Sequence, residues 1–168
     1  ARVLGGRTPS ERGGVVWHTQ GSGKSLTMLF LATKLRRSPT LQNPTIVVVT
    51  DRTQLDDQTT RTFRQASLLE PERAANTRDL RALLSTNNGR TVMTTIQKFE
   101  EALNVAGGQR EHLNAADNVI VMVDEAHRTQ YGRLAAKMRA ALPNATFIGF
   151  TGTPIDRGFK RTTMGTFG

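Results

Sequence analysis

The stretch WHTQGSGKS, residues 17–25, decides how this chain can fold. It follows the short apolar run VVW, which is typical of a buried strand, and it opens KSLTMLFLATKLRR, in which large apolar residues recur near helical spacing. Two glycines, a lysine and a serine therefore lie where a predicted strand passes into a predicted helix. A phosphate-binding loop requires this position, whereas a flexible linker of the same composition does not.

The chemistry of this loop suits a nucleotide. Glycines let backbone N–H groups converge on phosphate oxygens, and a helix N-terminus adds partial positive charge. The ammonium of Lys24 can reach the outer phosphates, and the hydroxyl of Ser25 can ligate Mg²⁺. His18 stands where the usual pattern has its first glycine, so the loop taken alone could still be a chance match. The predicted nucleotide-binding residues are Thr19, Gln20, Gly21, Ser22, Gly23, Lys24 and Ser25.

Apolar runs and helical patterns alternate along the rest of the chain. Further runs typical of strands are TIVVVT (45–50), TVMTTI (91–96), VIVMV from Val119 and ATFIGFTGT (145–153). Helical patterns run to about Arg64, over residues 79–84 and over residues 131–142. This alternation predicts an α/β fold with a parallel β-sheet, helices on both faces and ligands beyond the carboxyl ends of the strands. We expect an irregular lead-in over residues 1–12 and one domain over residues 13–168.

Composition and charge limit the classes of partner. The chain has 168 residues, 37% of them hydrophobic, and no apolar run approaches the length of about 20 residues that a membrane span needs. Cysteine is absent, which excludes disulfides and thiolate metal sites and fits a reducing cytoplasm. The net charge of +9 favours a polyanionic partner, and an aromatic content of 5% favours contact with phosphates over stacking on bases.

A second motif, VIVMVDEAHR at residues 119–128, adds acidic groups. The predicted strand delivers Asp124 and Glu125 to its carboxyl end, on the same edge of the sheet as the phosphate loop. We expect Asp124 to hold Mg²⁺ and Glu125 to act as the general base on the attacking water, so both are catalytic candidates together with Lys24. His127 is expected to couple this site to a neighbouring domain. The alternative is that the two acids cap the following helix.

A third motif, GFTGTP at residues 149–154, ends the last predicted strand. The hydroxyls of Thr151 and Thr153 could bond to the acidic motif and sense the outermost phosphate. A Gly-Thr-Pro turn is otherwise ordinary, so this motif is interpreted only together with the other two.

Together the motifs resemble the first RecA-like domain of superfamily 2 helicases and translocases of the DEAH-box type, a P-loop NTPase fold. HTQGSGKS resembles motif I, DEAH motif II and TGTP motif III. The linking segments VVVTDRTQLDDQ (47–58) and TVMTTIQKF (91–99), with His18, are similar to those of the motor (restriction) subunit of type I restriction–modification enzymes. The resemblance spans residues 13 to 155 and continues weakly to the terminal TFG.

The resemblance implies that ATP hydrolysis with Mg²⁺ pulls duplex DNA past an enzyme complex before cleavage. Its implied partners are a second RecA-like domain, which carries an arginine finger, and the modification and specificity subunits. Because this sequence matches neither the nuclease domain nor the second RecA-like domain of that family, we expect an excised domain with slow turnover. The implied DNA-contacting residues, which could equally be solvated or capping groups, are Thr50, Arg52, Gln54, Thr94, Thr95, Gln97 and Lys98.

Two other functions remain open on the sequence alone. The chain could be the motor domain of another DEAH-type helicase that acts in DNA repair or remodelling. It could also be a nucleotide-gated binding module with little hydrolysis. Replacing Glu125 separates the last possibility, because an ATPase would lose turnover while a pure binder would be indifferent.

Overall fold

The computed structural model describes residues 2–19, 23–51, 53–65, 70–86, 89–104, 112–124 and 131–152, with the backbone alone for residues 2, 3, 10, 53–58 and 131–135. Within these residues the chain forms one six-stranded sheet. The strands are β1 (Gly14–Trp17), β2 (Thr45–Thr50), β3 (Glu72–Arg73), β4 (Thr91–Thr95), β5 (Val119–Val123) and β6 (Thr146–Thr151). The helices are α1 (Arg2–Gly5), α2 (Pro9–Arg12), α3 (Lys24–Arg36), α4 (Thr53–Arg64), α5 (Thr77–Ser85), α6 (Ile96–Asn104) and α7 (Tyr131–Ala141).

The strand order is β1-β6-β5-β2-β4-β3, and every pair of neighbours is parallel. Parallel neighbours need a crossover connection, and the helices between successive strands supply it. The predicted α/β fold with a parallel sheet is therefore confirmed. Its functional consequence is that all the strands end at one edge of the sheet.

Helices cover both faces of the sheet because the central strands are apolar on both sides. In β2 all six residues are buried, with Ile46 and Val48 in one core cluster and Val47 and Val49 in the other. The first cluster includes residues of α3 and Phe63 of α4, and the second includes residues of α5, α6 and α7. None of the described helices has the length and apolar character needed to cross a membrane.

The amino-terminal segment differs from the irregular lead-in expected for residues 1–12, because it contains the single-turn helices α1 and α2. A capping box explains α2. The N–H of Glu11 donates to the hydroxyl of Thr8 over 3.3 Å, and the N–H of Thr8 donates to the carboxylate of Glu11 over 3.1 Å. Pro9 occupies the first helical position, where its missing N–H costs nothing.

Two further elements were not predicted. Strand β3 has only two residues, which is too short for any sequence period, and it pairs with β4 at the edge of the sheet. The run TVMTTI ends as a strand at Thr95, and Ile96 begins α6. The hydroxyl of Thr95 accepts the N–H of Lys98 over 3.4 Å, so a capping contact starts the helix one residue earlier than the apolar run suggests.

Helix α3 is fixed at its carboxyl end by Arg36. Its guanidinium donates to Asn43 over 2.9 Å, to the hydroxyl of Thr91 over 2.8 Å and to the carbonyl of Gly89. Burial lowers the pKa of Arg36 from its ordinary value. These contacts join the end of α3 to the start of β4, so the opposite end of α3 is held over the carboxyl edge of the sheet.

Candidate nucleotide-binding site

The three sequence motifs meet at the carboxyl edge of the sheet. Strand pairing continues one residue beyond β1 and β5, since the N–H of His18 donates to the carbonyl of Thr151 over 2.9 Å and that of Asp124 to the carbonyl of Val49 over 2.8 Å. These bonds place the start of the phosphate loop beside the third motif. They also fix the first acid of the second motif at the end of β5, two strands away from β1.

The amino end of α3 has the conformation that its glycine permits. Gly23 is the N-cap residue and adopts the left-handed region, with φ 88° and ψ 29°, which a residue without a Cβ enters at little cost. Lys24 is then the first residue of a helix whose first turn carries no acidic side chain. The partial positive charge of this helix end is therefore not neutralised by its own first turn, and it suits an anion.

An ion pair joins the first two motifs. The Nζ of Lys24 lies 2.8 Å from the Oδ1 of Asp124, and the two side chains are 18% and 4% exposed. The pair reaches past β6, which separates β1 from β5 in the sheet. A carboxylate as buried as that of Asp124 needs a compensating charge, and the ammonium of Lys24 supplies one. The expected convergence of the lysine and the acidic motif is thus what the structure contains.

The other described residues of the predicted nucleotide site lie around this pair. Thr19 is exposed directly after His18, Ser25 is half-buried in the first turn of α3, and Thr151 is fully buried at the end of β6. The remaining predicted residues of the three motifs lie outside the described part of the chain: Gln20, Gly21, Ser22, Glu125, His127 and Thr153.

The residues predicted to contact DNA lie at the ends of β2 and β4 and at the start of α6. The hydroxyls of Thr50 and Thr94 are buried and donate to the carbonyls of Thr94 and Thr95, each over 3.4 Å. Thr95 is buried as well, and the ammonium of Lys98 donates to the carbonyl of Ala74 over 2.9 Å.

Of these predicted DNA contacts, Gln97 has an exposed side chain in the described structure. Arg52 and the side chain of Gln54 lie outside the described residues. Contact between this group and DNA stays a prediction. The buried hydroxyls at the strand ends already bond to the protein backbone, which is the capping alternative that the sequence left open.

Sequence reasoning did not identify Thr27, which contacts His18 at the site. The Nε2 of His18 is 3.0 Å from the hydroxyl oxygen of Thr27, in the first turns of α3. The only signal in the sequence was the departure of His18 from the usual glycine. Nothing in the sequence pattern pointed to Thr27.

The donor set fits a nucleotide with Mg²⁺. A hydroxyl from Ser25 and a carboxylate from Asp124 are oxygen ligands, which Mg²⁺ prefers, and Lys24 with the end of α3 suits phosphate. Among the described residues no three His, Cys, Asp or Glu side chains converge as a metal cage. This is compatible with Mg²⁺, which usually takes one or two protein oxygens and completes its shell with phosphates and water.

Comparison with known proteins agrees with this geometry. The profile of the SWI2/SNF2 ATPase family matches residues 2–168. The chain belongs to this family. A solved member of the same broader fold, the UvsW helicase of bacteriophage T4, superposes with a TM-score of 0.63 over 94% of this chain and 53% of that one, at 19% identity. The RecA-like fold that the motifs predicted is therefore confirmed for this SWI2/SNF2 ATPase domain.

Two curated relatives have names that identify their class. The chain is 49% identical over 173 positions to the type I restriction enzyme HindI endonuclease subunit of Haemophilus influenzae, and 44% identical over 158 positions to the type I restriction enzyme MjaIXP endonuclease subunit, described as putative, of Methanocaldococcus jannaschii. These matches cover 91% and 92% of this SWI2/SNF2 ATPase chain but only 16% and 15% of the two relatives. The predicted resemblance to type I restriction subunits is confirmed.

Proposed function

We propose that this chain is the ATP-hydrolysing motor domain of a type I restriction enzyme subunit and that it drives the translocation of duplex DNA before cleavage. The observation that carries the proposal is the ion pair of Lys24 and Asp124 at the carboxyl edge of the sheet, in a chain of an ATPase family. The names of its relatives favour a restriction enzyme over a repair or remodelling helicase.

Each described residue of the site has a role in this proposal. Lys24 binds the β- and γ-phosphates of ATP, and the backbone N–H groups of the loop and of the start of α3 bind the remaining phosphate oxygens. Ser25 and Asp124 hold Mg²⁺, which would neutralise charge on the phosphates. The ion pair of Lys24 and Asp124 holds both side chains at the edge of the sheet where phosphates and cation would bind.

The proposal extends to Thr151 and to the residues of the three motifs outside the described part. Glu125 orients and deprotonates the attacking water, and His127 with Thr151 and Thr153 transmits the state of the site to the neighbouring domain. Thr151 is suited to this because its carbonyl is bonded to His18, at the start of the phosphate loop, over 2.9 Å. Gln20, Gly21 and Ser22 complete the loop around the phosphates.

Partners follow from the relatives and from the charge of the chain. The net charge of +9 favours duplex DNA, and of the predicted contacts we keep Arg52, Gln54 and the exposed Gln97 in this proposal. A second RecA-like domain would supply an arginine finger, worth about 10³–10⁵ in rate, so this chain alone hydrolyses ATP slowly. The remaining proposed partners are the modification and specificity subunits of a restriction complex. We place this complex in the cytoplasm, because its reducing state suits a chain without cysteine.

The test is nucleotide-dependent thermal stabilisation of the wild type and two variants. ATP with Mg²⁺ should raise the melting temperature of the wild type, because a ligand at 100 times its Kd adds about 2.7 kcal/mol to folding. Lys24→Ala should lose this rise. Lys34→Ala, which removes an exposed lysine from the last turn of the same helix, should keep it.

Glu125→Gln tests hydrolysis in the same assay, since it should keep the thermal shift and lose turnover by about 10²–10⁴-fold. Two outcomes count against the proposal. Equal rises in melting temperature in Lys24→Ala and wild type would show that nucleotide does not bind at the proposed site. Unchanged turnover in Glu125→Gln would leave a nucleotide-gated binding module as the better description.

A further inference from the structure

A chain of hydrogen bonds crosses the base of the phosphate loop. The Nε2 of His18, directly after β1, lies 3.0 Å from the hydroxyl oxygen of Thr27, and the two residues are nine positions apart. The same hydroxyl lies 3.3 Å from the carbonyl of Gly23, the N-cap residue of α3. The side chain of His18 is therefore linked to both the cap and the first turns of the helix.

The direction of these bonds follows from the number of protons available. The hydroxyl of Thr27 carries one proton, which it donates to the carbonyl of Gly23. When Nε2 is the ring nitrogen of His18 that carries hydrogen, its N–H donates to the same hydroxyl oxygen. In that tautomer the bonds run from His18 through Thr27 to Gly23, and they connect the two residues between which the loop lies.

The backbone of His18 is hydrogen-bonded as well as its side chain. Its N–H donates to the carbonyl of Thr151 over 2.9 Å, so β6 fixes the residue from one side while α3 fixes it from the other. A glycine, which the usual loop pattern has at this position, would lack the side-chain bond to the helix. Fixing both ends of a loop before ligand arrives reduces the ordering that binding must bring about, which raises affinity.

We propose that His18 is a positioning residue of the nucleotide site: with Thr27 it ties the start of the phosphate loop to the start of α3. The inference rests on the proposed nucleotide-binding function and adds to it a pair of side chains that the usual loop pattern does not contain. The bonds described above join His18 to Thr27 and Thr151, so the proposed effect of His18 on nucleotide is indirect, through the loop.

The test measures the affinity for ATP with Mg²⁺ by calorimetry in four variants. His18→Ala and Thr27→Val should each weaken binding about two- to tenfold, the effect of one hydrogen bond. The double variant should bind no more weakly than either single variant, since both remove the same bond. His18→Gln keeps an N–H donor on the side chain, and it should recover part of the loss.

Thr33→Val is the matched control. The hydroxyl of Thr33 donates to the carbonyl of Leu29 over 2.9 Å, the same contact with the preceding turn that Thr27 makes to Gly23, on the same helix and away from the loop. Its loss should leave affinity unchanged. A second measurement needs no nucleotide: hydrogen exchange at the amide of residue 27, whose N–H donates to the carbonyl of Gly23 over 3.0 Å, should be faster in His18→Ala and Thr27→Val than in Thr33→Val.

The outcomes separate this inference from the proposed function. Normal affinity in His18→Ala and Thr27→Val, with binding lost in Lys24→Ala, would overturn the inference and leave the function standing. Additive losses in the double variant would overturn it too. If the wild type binds no nucleotide, the function fails, and exchange rates equal to those of Thr33→Val would then show that the bond does not order the helix end either.

Discussion

At the scale of the residue, the ion pair between Lys24 and Asp124 compensates a buried carboxylate. Asp124 is 4% exposed at its side chain, so removing the ammonium leaves a buried carboxylate without its 2.8 Å counter-charge. The exposed pair of Lys137 and Glu100, 3.3 Å apart with side chains 42% and 45% exposed, offers a comparison within the same protein. Water screens the second pair far more than the first.

A double-mutant cycle should show this difference. Lys24→Ala and Asp124→Ala are each expected to lower the free energy of unfolding, by up to about 3 kcal/mol, and the double variant should lose less than the sum. The cycle on Lys137 and Glu100 should give a coupling below about 1 kcal/mol. Urea denaturation measures all of these, and equal coupling energies for the two pairs would contradict the argument.

At the scale of the element, side-chain hydrogen bonds hold α3 in place at both ends. His18 and Thr27 hold its amino end, and Arg36 holds its carboxyl end against Asn43 and Thr91. Four buried apolar residues of α3 pack on the sheet between these anchors: Met28, Leu29, Ala32 and Leu35. The position of Lys24 is thus set by contacts along the whole helix and not by the loop alone.

Arg36→Ala should therefore destabilise the fold. It removes charged hydrogen bonds to Asn43 and Thr91, and a cost of about 1–3 kcal/mol is expected from the partners left behind. Arg37→Ala is the control, because the neighbouring side chain is exposed and its loss should stay within about 0.5 kcal/mol. Chemical denaturation compares the two variants. Equal free energies of unfolding would contradict the role of Arg36 in holding the carboxyl end of α3.

At the scale of the whole molecule, apolar surface is unevenly distributed. Phe63 of α4 is fully buried, whereas Phe30 and Leu26, one turn apart on α3, are 69% and 48% exposed. They lie opposite the buried stripe of α3, so this helix is apolar on two sides. Exposed apolar side chains of this size favour association of a protein with itself or with other surfaces.

Phe30→Ala should leave the free energy of unfolding within about 0.5 kcal/mol of the wild type, since little core is lost. It should also reduce self-association in light scattering at high concentration. Phe63→Ala should cost about 3–5 kcal/mol because it opens a cavity in the core. A large loss of stability in Phe30→Ala would mean that its side chain is covered after all.

Sequence patterns predicted most of the architecture for a physical reason. Strands such as TIVVVT are buried on both faces, so their apolar runs are unbroken, and motifs that follow strands must meet at one edge of a parallel sheet. That logic placed Lys24 and Asp124 together. It could not yield the two-residue strand β3 or the contact of His18 with Thr27, because both depend on tertiary neighbours.

The register of β6 fixes the span of the nucleotide site. This strand pairs with β1, from Gly14 opposite Ile148 to Trp17 opposite Thr151, and with β5 on its other side. One step of slippage along a strand amounts to about 3.3 Å, more than enough to pull an ammonium away from a carboxylate 2.8 Å distant. Strand β6 thus sets the spacing between β1, which leads towards α3 and Lys24, and β5, which ends directly before Asp124.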